Sequence, residues 1–157
     1  MLVGLSAGLA IWARPTGVVT ALALGYGTFR WSARHLIWFG AGMLPGMICA
    51  VGYNLWAFGL PFGGYQMPGG AMSSLNPAGL FNRLAGLLLS PNRGLWVYSP
   101  VLIVGLFAIR RLNSPAAHAA AAGAAGYLLL YSSHSRWDGG WAYGPRYLTD
   151  SLPFWVV

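Results

Sequence analysis

An apolar run from Leu36 to Trp56 contains no charged residue and limits the possible folds more than any other part of this sequence. A helix that crosses a bilayer needs about 20 predominantly apolar residues. Trp38 and Trp56 stand near the two ends of the run, where aromatic side chains anchor a helix at the membrane surface. Pro45 lies inside it and predicts a bend. The run therefore predicts a membrane-spanning helix.

The scarcity of charge extends this conclusion to the whole chain. Charged residues make up 7% of the sequence, against about 25% in a typical soluble domain, so lipid is expected to cover much of the surface. The basic residues are all arginine, and the only acids are Asp138 and Asp150. The arginines are scattered between apolar runs rather than clustered as in a nucleic-acid-binding face. Membrane lipid and phosphate-bearing substrates are therefore the predicted partners, and nucleic acid is not.

Two shorter apolar runs precede the first long one. Leu2 to Ala13 and Thr16 to Phe29 are separated by Arg14-Pro15, and each is short for a complete crossing. Proline removes a backbone donor and disfavours helical geometry in the residue before it. The pattern fits either a shallow helical hairpin or a single helix broken at Pro15.

The region after the long run begins with a loop rich in glycine and proline. Asn76-Pro77 then has the residue types of a helix cap and first helical position. The apolar residues that follow share one helical face: Leu80, Phe81, Leu84, Leu87 and Leu88. This pattern predicts an amphipathic helix lying in the membrane interface. A helix docked on the protein's own core is the equally open alternative.

Further helices are predicted from Leu95 to Ile109 and, capped by Ser114-Pro115, from Ala116 to Tyr131. The alanine and glycine content of the second helix permits close packing in lipid. If the short arginine loops at residues 30–35 and 110–111 are cytoplasmic, the loops at 57–94 and 132–147 lie outside. Residues 1–157 are thus predicted to form one all-α membrane domain, a polytopic transmembrane helix bundle with one interfacial amphipathic helix and ordered extracytoplasmic loops.

Two of the loops on the outer face contain the candidate functional residues. Arginine is a good ligand for phosphate because its planar fork donates two hydrogen bonds, and aromatic rings can face a sugar or an isoprenoid chain. The substrate-binding candidates are Arg93, Arg136, Trp137, Asp138, Tyr143 and Arg146. The alternative is an aromatic belt with arginines on lipid headgroups.

Individual roles remain open at this stage. Arg146 is the best single candidate, with an ion pair to Asp138 or Asp150 as its alternative. Asp138 is a candidate base by scarcity, although Asp-Gly-Gly is also a turn signal. Asp150 is expected to be a helix N-terminal charge or an arginine partner. The histidines are dispersed, so neither a metal site nor a cofactor is predicted.

Several strings in the sequence resemble the C-terminal half of the membrane part of bacterial GT-C glycosyltransferases, relatives of protein O-mannosyltransferases and aminoarabinose transferases. They are GLAIWARPTGVVTALAL, NLWAFGLPFGGY, GLLLSPNRGLWVYSPVLI and WDGGWAYGPRYLTDSLPF. The resemblance implies a multi-pass enzyme of the bacterial cytoplasmic (inner) membrane. Such an enzyme transfers a sugar from a polyprenyl-phosphate donor to a lipid, glycan or protein acceptor.

The resemblance also implies roles for particular residues. Arg93 and Arg146 would lie near the donor phosphate, and Trp137, Asp138 and Tyr143 near the mouth of the site. In that superfamily the catalytic acid lies in the first large outer loop, whereas here no acid precedes Asp138. The chain is therefore expected to be a distal fragment that is inactive alone, or a degenerate relative. A non-catalytic membrane protein, such as a polyprenyl-phosphate carrier, flippase or assembly scaffold, is the alternative.

Overall fold

The computed structural model describes residues 1–68, 70–111, 114–137 and 146–155. Apart from one isolated β-bridge, every regular element in these ranges is helical, so the all-α prediction is confirmed for them. The chain forms two compact units, Met1–Ser73 and Ser74–Val157. The single membrane domain expected over residues 1–157 stays a prediction.

The first unit contains three helices, α1 (Leu2–Ala13), α2 (Gly17–Trp31) and α3 (Ala33–Phe58), followed by a 3-10 turn at Gly63–Gln66. Arg14 has an extended backbone, φ −151° and ψ 131°, as expected for a residue before proline. The chain reverses there, and α2 packs on α1. Of the two arrangements that the sequence left open, the structure has the helical hairpin.

Glycine pairs bring α1 and α3 into backbone contact. A Cβ atom built on Gly4 would overlap the Phe39 carbonyl oxygen, and one built on Gly46 would overlap the backbone of Gly8. The positions rise together along both helices, so the two run parallel. A buried cluster of Ala7, Ala21 and Phe39 takes one residue from each of the three helices. Small residues at such a crossing are typical of helix packing in membranes, where close backbone approach replaces the hydrophobic effect.

Helix α3 contains the predicted spanning run and extends it by a few residues at each end. Among the described residues, it is the one helix long and apolar enough to cross a membrane. Only 22% of its most apolar window is buried in the protein. A core helix of a soluble domain is mostly buried, so this low fraction favours a membrane helix over a soluble core helix.

The second unit contains α4 (Leu80–Leu89), α5 (Leu95–Tyr98), α6 (Val101–Arg111), α7 (Pro115–Ser132) and a 3-10 helix (Arg146–Phe154). The predicted cap of α7 is confirmed, because Ser114 Oγ accepts a hydrogen bond of 3.1 Å from the Ala117 amide. The continuous helix expected from Leu95 is wrong. Ser99, the residue before a proline, leaves helical geometry at φ −140° and ψ 68° and separates α5 from α6.

The predicted cap of α4 is also wrong. Asn76 Oδ1 accepts a 2.8 Å hydrogen bond from the Ala78 amide, which closes a local turn instead of capping the helix. The helix begins at Leu80, after Gly79 in the left-handed region at φ 78°. Helix α4 packs on α7 and buries Leu87 almost completely, at 2% exposure, whereas Phe81 remains 81% exposed. The helix is thus docked on its own unit by one face and leaves an apolar residue on another.

Candidate functional site

The loop at residues 132–147, which contains Arg136 and Trp137, is paired at its start with the segment that precedes α4. The Asn76 amide donates to the Ser133 carbonyl oxygen at 2.7 Å, and the Ser135 amide donates to the Ser74 carbonyl oxygen at 2.8 Å. An isolated antiparallel bridge lies between these two hydrogen bonds. The backbone that leads from α7 toward Arg136 is therefore held by hydrogen bonds to a distant segment, which its local sequence does not predict.

Arg83 closes this pairing from α4. Its Nε donates to the Ser132 carbonyl oxygen at 2.7 Å, and its Nη2 donates to the Asn76 carbonyl oxygen. Ser132 is the last residue of α7, where helix carbonyls lack intrahelical partners and carry partial negative charge. A half-buried guanidinium thus joins the end of α7 to the turn before α4. Sequence reasoning did not place Arg83 in the site.

Trp137, a predicted site residue, lies directly against α4. Its ring is so close to Gly86 that a Cβ atom at Gly86 would overlap the tip of the indole. Trp137 is half-buried as a result, whereas the neighbouring Arg136 is exposed. A larger residue at position 86 would displace this ring, so Gly86 provides the space that Trp137 occupies.

The loop at residues 90–94, which contains Arg93, follows α4 as a tight turn. The amides of Arg93 and Gly94 both donate to the Ser90 carbonyl oxygen, at 3.2 Å and 2.6 Å. Gly94 is buried, and a Cβ atom there would lie 2.7 Å from the Ser90 nitrogen. This close approach fixes the loop that carries Arg93, whose side chain is half-buried.

Trp96 is a further candidate, which the sequence analysis did not include among the binding residues. Its indole N–H is buried and has no hydrogen-bond acceptor among the described residues, and the Nη1 atom of Arg93 is buried as well. A buried donor without an acceptor is uncommon and calls for a specific explanation. The only sequence signal was its position, three residues after Arg93 in the SPNRGLW string.

The structure therefore connects two of the predicted residues through one helix. Trp137 packs on Gly86 in α4, and the loop bearing Arg93 starts where α4 ends. Asp138 and Tyr143, and the side chain of Arg146, lie outside the described part of the chain. The backbone of Arg146 begins the 3-10 helix.

Asp150 lies within the 3-10 helix and not at a helix start, so the expected helix N-terminal charge is wrong, whereas the arginine partner stays a prediction. Its Oδ2 accepts a 3.2 Å hydrogen bond from the Tyr131 hydroxyl. The Tyr131 ring stacks on that of Tyr147, with centroids 5.0 Å apart and planes 8° from parallel. The carboxylate is thus part of an aromatic contact between α7 and the 3-10 helix.

This arrangement can offer an arginine and an aromatic face on loops fixed by hydrogen bonds, together with an indole N–H on α5. Those groups suit a ligand that combines phosphate oxygens with flat or apolar parts. Comparison with known protein families, curated proteins and solved structures finds no match to this chain.

Proposed function

We propose that this chain is part of a membrane glycosyltransferase that transfers a sugar from a polyprenyl-phosphate donor to a lipid, glycan or protein acceptor. One observation carries the proposal: the buried indole N–H of Trp96 in α5, three residues after Arg93, has no acceptor among the described residues. Phosphate oxygens accept hydrogen bonds from guanidinium and from neutral N–H groups alike. The resemblance of the SPNRGLWVYSP string to GT-C enzymes supports the same ligand.

The proposal includes a polytopic placement in the bacterial cytoplasmic membrane. Support comes from the length and apolar surface of α3 and from the shorter apolar helices α1 and α4. Helix α4 would lie at the interface, with Phe81, which is 81% exposed, directed into the lipid. The loops bearing Arg93 and Trp137 would then face the polyprenyl-phosphate headgroup on the outer side.

The proposed reaction is an inverting displacement at the anomeric carbon. A carboxylate from a part of the enzyme outside this chain would take the proton of the acceptor hydroxyl. The acceptor oxygen forms a bond to the anomeric carbon as the bond from that carbon to the phosphate oxygen breaks. Arg93 and Arg146 would stabilise the negative charge that develops on the departing phosphate.

Sugar transfer by the polypeptide of the complete reading frame, reconstituted in lipid vesicles with a labelled polyprenyl-phosphate sugar, tests the proposal. We expect Arg93→Ala and Arg146→Ala each to lower transfer by about 10²-fold, the effect of removing one charge-stabilising donor. Arg34→Ala is the matched control, because Arg34 is an exposed arginine in the first unit. Unchanged turnover in folded Arg93 and Arg146 variants would remove both residues from the mechanism.

A non-catalytic polyprenyl-phosphate carrier, flippase or scaffold is the second candidate, favoured by the absence of any acid before Asp138. The same arginines would then bind lipid phosphate without chemistry. Saturable binding of polyprenyl phosphate by the complete polypeptide, with no transfer to any lipid, glycan or protein acceptor tried, would favour this candidate. Transfer of the label would exclude it.

A further inference from the structure

A stack of tyrosine rings joins α7 to the 3-10 helix Arg146–Phe154. The rings of Tyr127 and Tyr131 have centroids 6.0 Å apart and planes 18° from parallel, and the Tyr147 ring stacks on that of Tyr131 at 5.0 Å. Tyr127 and Tyr131 are 2% and 6% exposed. The stacked rings are therefore part of the buried contact between α7 and the 3-10 helix.

Asp150 adds a polar link to the same tyrosine. In a 3-10 helix, side chains three residues apart lie on one side of the helix. Tyr147 and Asp150 have this spacing, and both reach Tyr131, one through its ring and the other through its hydroxyl at 3.2 Å. A single side chain of α7 thus holds two points of the 3-10 helix.

The far end of the 3-10 helix is docked as well. The Phe154 ring lies 6.1 Å from that of Tyr127, centroid to centroid, and a Cβ atom at Gly123 would come within 2.5 Å of its Cδ1. Next to it, Trp155 Nε1 donates to Ser151 Oγ at 3.2 Å, and Ser151 is completely buried. The hydrogen bond to Asp150 and the Tyr147 stack both hold the half of the segment nearer Arg146, where Leu148 is also fully buried.

We propose that Asp150 is a positioning residue, which accepts the Tyr131 hydrogen bond and so fixes the segment that begins at Arg146. The link to substrate rests on the function proposed above, in which Arg146 binds the donor phosphate. Asp150 is the one acidic side chain among the described residues, and it would otherwise be an obvious choice of general base. Accepting a hydrogen bond requires an oxygen lone pair and not a negative charge, so an amide can replace the carboxylate as the acceptor of the Tyr131 hydrogen bond.

The first test compares three variants of the complete polypeptide in lipid vesicles by amide hydrogen exchange over residues 147–155. We expect Asp150→Ala and Tyr131→Phe to speed exchange there about 10-fold, since each removes the hydrogen bond and Tyr131→Phe keeps the ring. Asp150→Asn retains an acceptor oxygen and should exchange within about threefold of the wild type. Wild-type exchange in Asp150→Ala would overturn the proposal.

The second test measures transfer kinetics in the same variants. Asp150→Ala should raise the KM for the polyprenyl-phosphate donor about 10-fold and leave the acceptor KM unchanged, and Asp150→Asn should restore the wild-type value. Loss of transfer in Asp150→Asn, with exchange as in the wild type, would show that the charge is required and overturn the proposal. If the wild type transfers no sugar, the proposed function fails, and the exchange comparison by itself decides whether Asp150 fixes this segment.

Discussion

Two arginines of the second unit have the same side chain and different surroundings. Arg83 donates to the carbonyl oxygens of Ser132 and Asn76 and is part of the framework. Arg93 lies in a tight turn and has a buried Nη1 atom close in sequence to the buried Trp96 N–H. Because both arginines are half-buried, exposure alone does not separate the structural role of Arg83 from the phosphate-binding role proposed for Arg93.

Replacing Arg83 by alanine should destabilise the protein. The variant leaves the last carbonyl of α7 without its charged donor, and a hydrogen bond to a charged group contributes about 1.5–3 kcal/mol. The thermal unfolding midpoint in detergent should therefore fall by several degrees, at about 2–4 °C per kcal/mol for a chain of this size. Arg136→Ala, at an exposed arginine of the same unit, is the control. Equal midpoints for the two variants would contradict the framework role of Arg83.

Replacing Trp96 by phenylalanine should weaken the binding of polyprenyl phosphate. The change keeps an aromatic ring and removes the buried N–H, so the Kd should rise about 10-fold for one lost hydrogen bond to a charged acceptor. Trp56→Phe is the matched control, because Trp56 is 84% exposed at the end of α3. Binding measured by native mass spectrometry or calorimetry in detergent checks this. An unchanged Kd would mean that the Trp96 N–H faces no ligand oxygen.

Among the helices, sequence prediction succeeded where the signal is local. The Ser114-Pro115 cap of α7 depends on one hydroxyl and one amide three residues apart, and both are visible in the sequence. Asn76 failed as a cap because its side chain had a second local partner, the Ala78 amide, in a competing turn. Arg83 was missed because its partner carbonyl on Ser132 is 49 residues away. No periodicity or spacing encodes such a partner.

The glycine pairs of α1 and α3 are an intermediate case. Gly4 and Gly8 are four residues apart, as are Gly42 and Gly46, and this spacing is a known signal for close helix packing in membranes. The spacing indicates that each helix has a contact face. It does not indicate that the two faces meet each other, which only the structure shows.

Gly46→Ala should destabilise the first unit, because the added Cβ would overlap the backbone of Gly8 and force α1 and α3 apart. Such overpacking costs about 1–3 kcal/mol. Gly52→Ala on the same helix is the control, since nothing lies within 4 Å of its added Cβ. Alanine there should leave stability unchanged or raise it by about 0.5–1 kcal/mol through its better helix propensity. Thermal unfolding in detergent compares the two, and equal effects would show that the crossing is not tight.

For the molecule as a whole, the central question is what covers α3. Ile48 lies near the middle of this helix and is 67% exposed, and Ile37 lies near its start and is 73% exposed. A water-exposed isoleucine tolerates arginine within about 0.5 kcal/mol. In a lipid-spanning helix, arginine near the centre costs about 2.5–3.5 kcal/mol, whereas near an end the side chain reaches the membrane surface. The two positions therefore distinguish lipid from water with the same substitution.

Cys49, the only cysteine of the chain and next to Ile48, reports which environment is present. It is exposed on α3, so in water a membrane-impermeant maleimide should label it readily. If α3 spans lipid, Cys49 should stay unlabelled in intact vesicles and react only after denaturation. The Ile37→Arg variant should behave in the same way, and Ile48→Arg should make Cys49 reactive, because the helix centre can no longer remain in hydrocarbon. Rapid labelling of the wild type in intact vesicles would instead place α3 in water and remove the membrane basis of the proposed function.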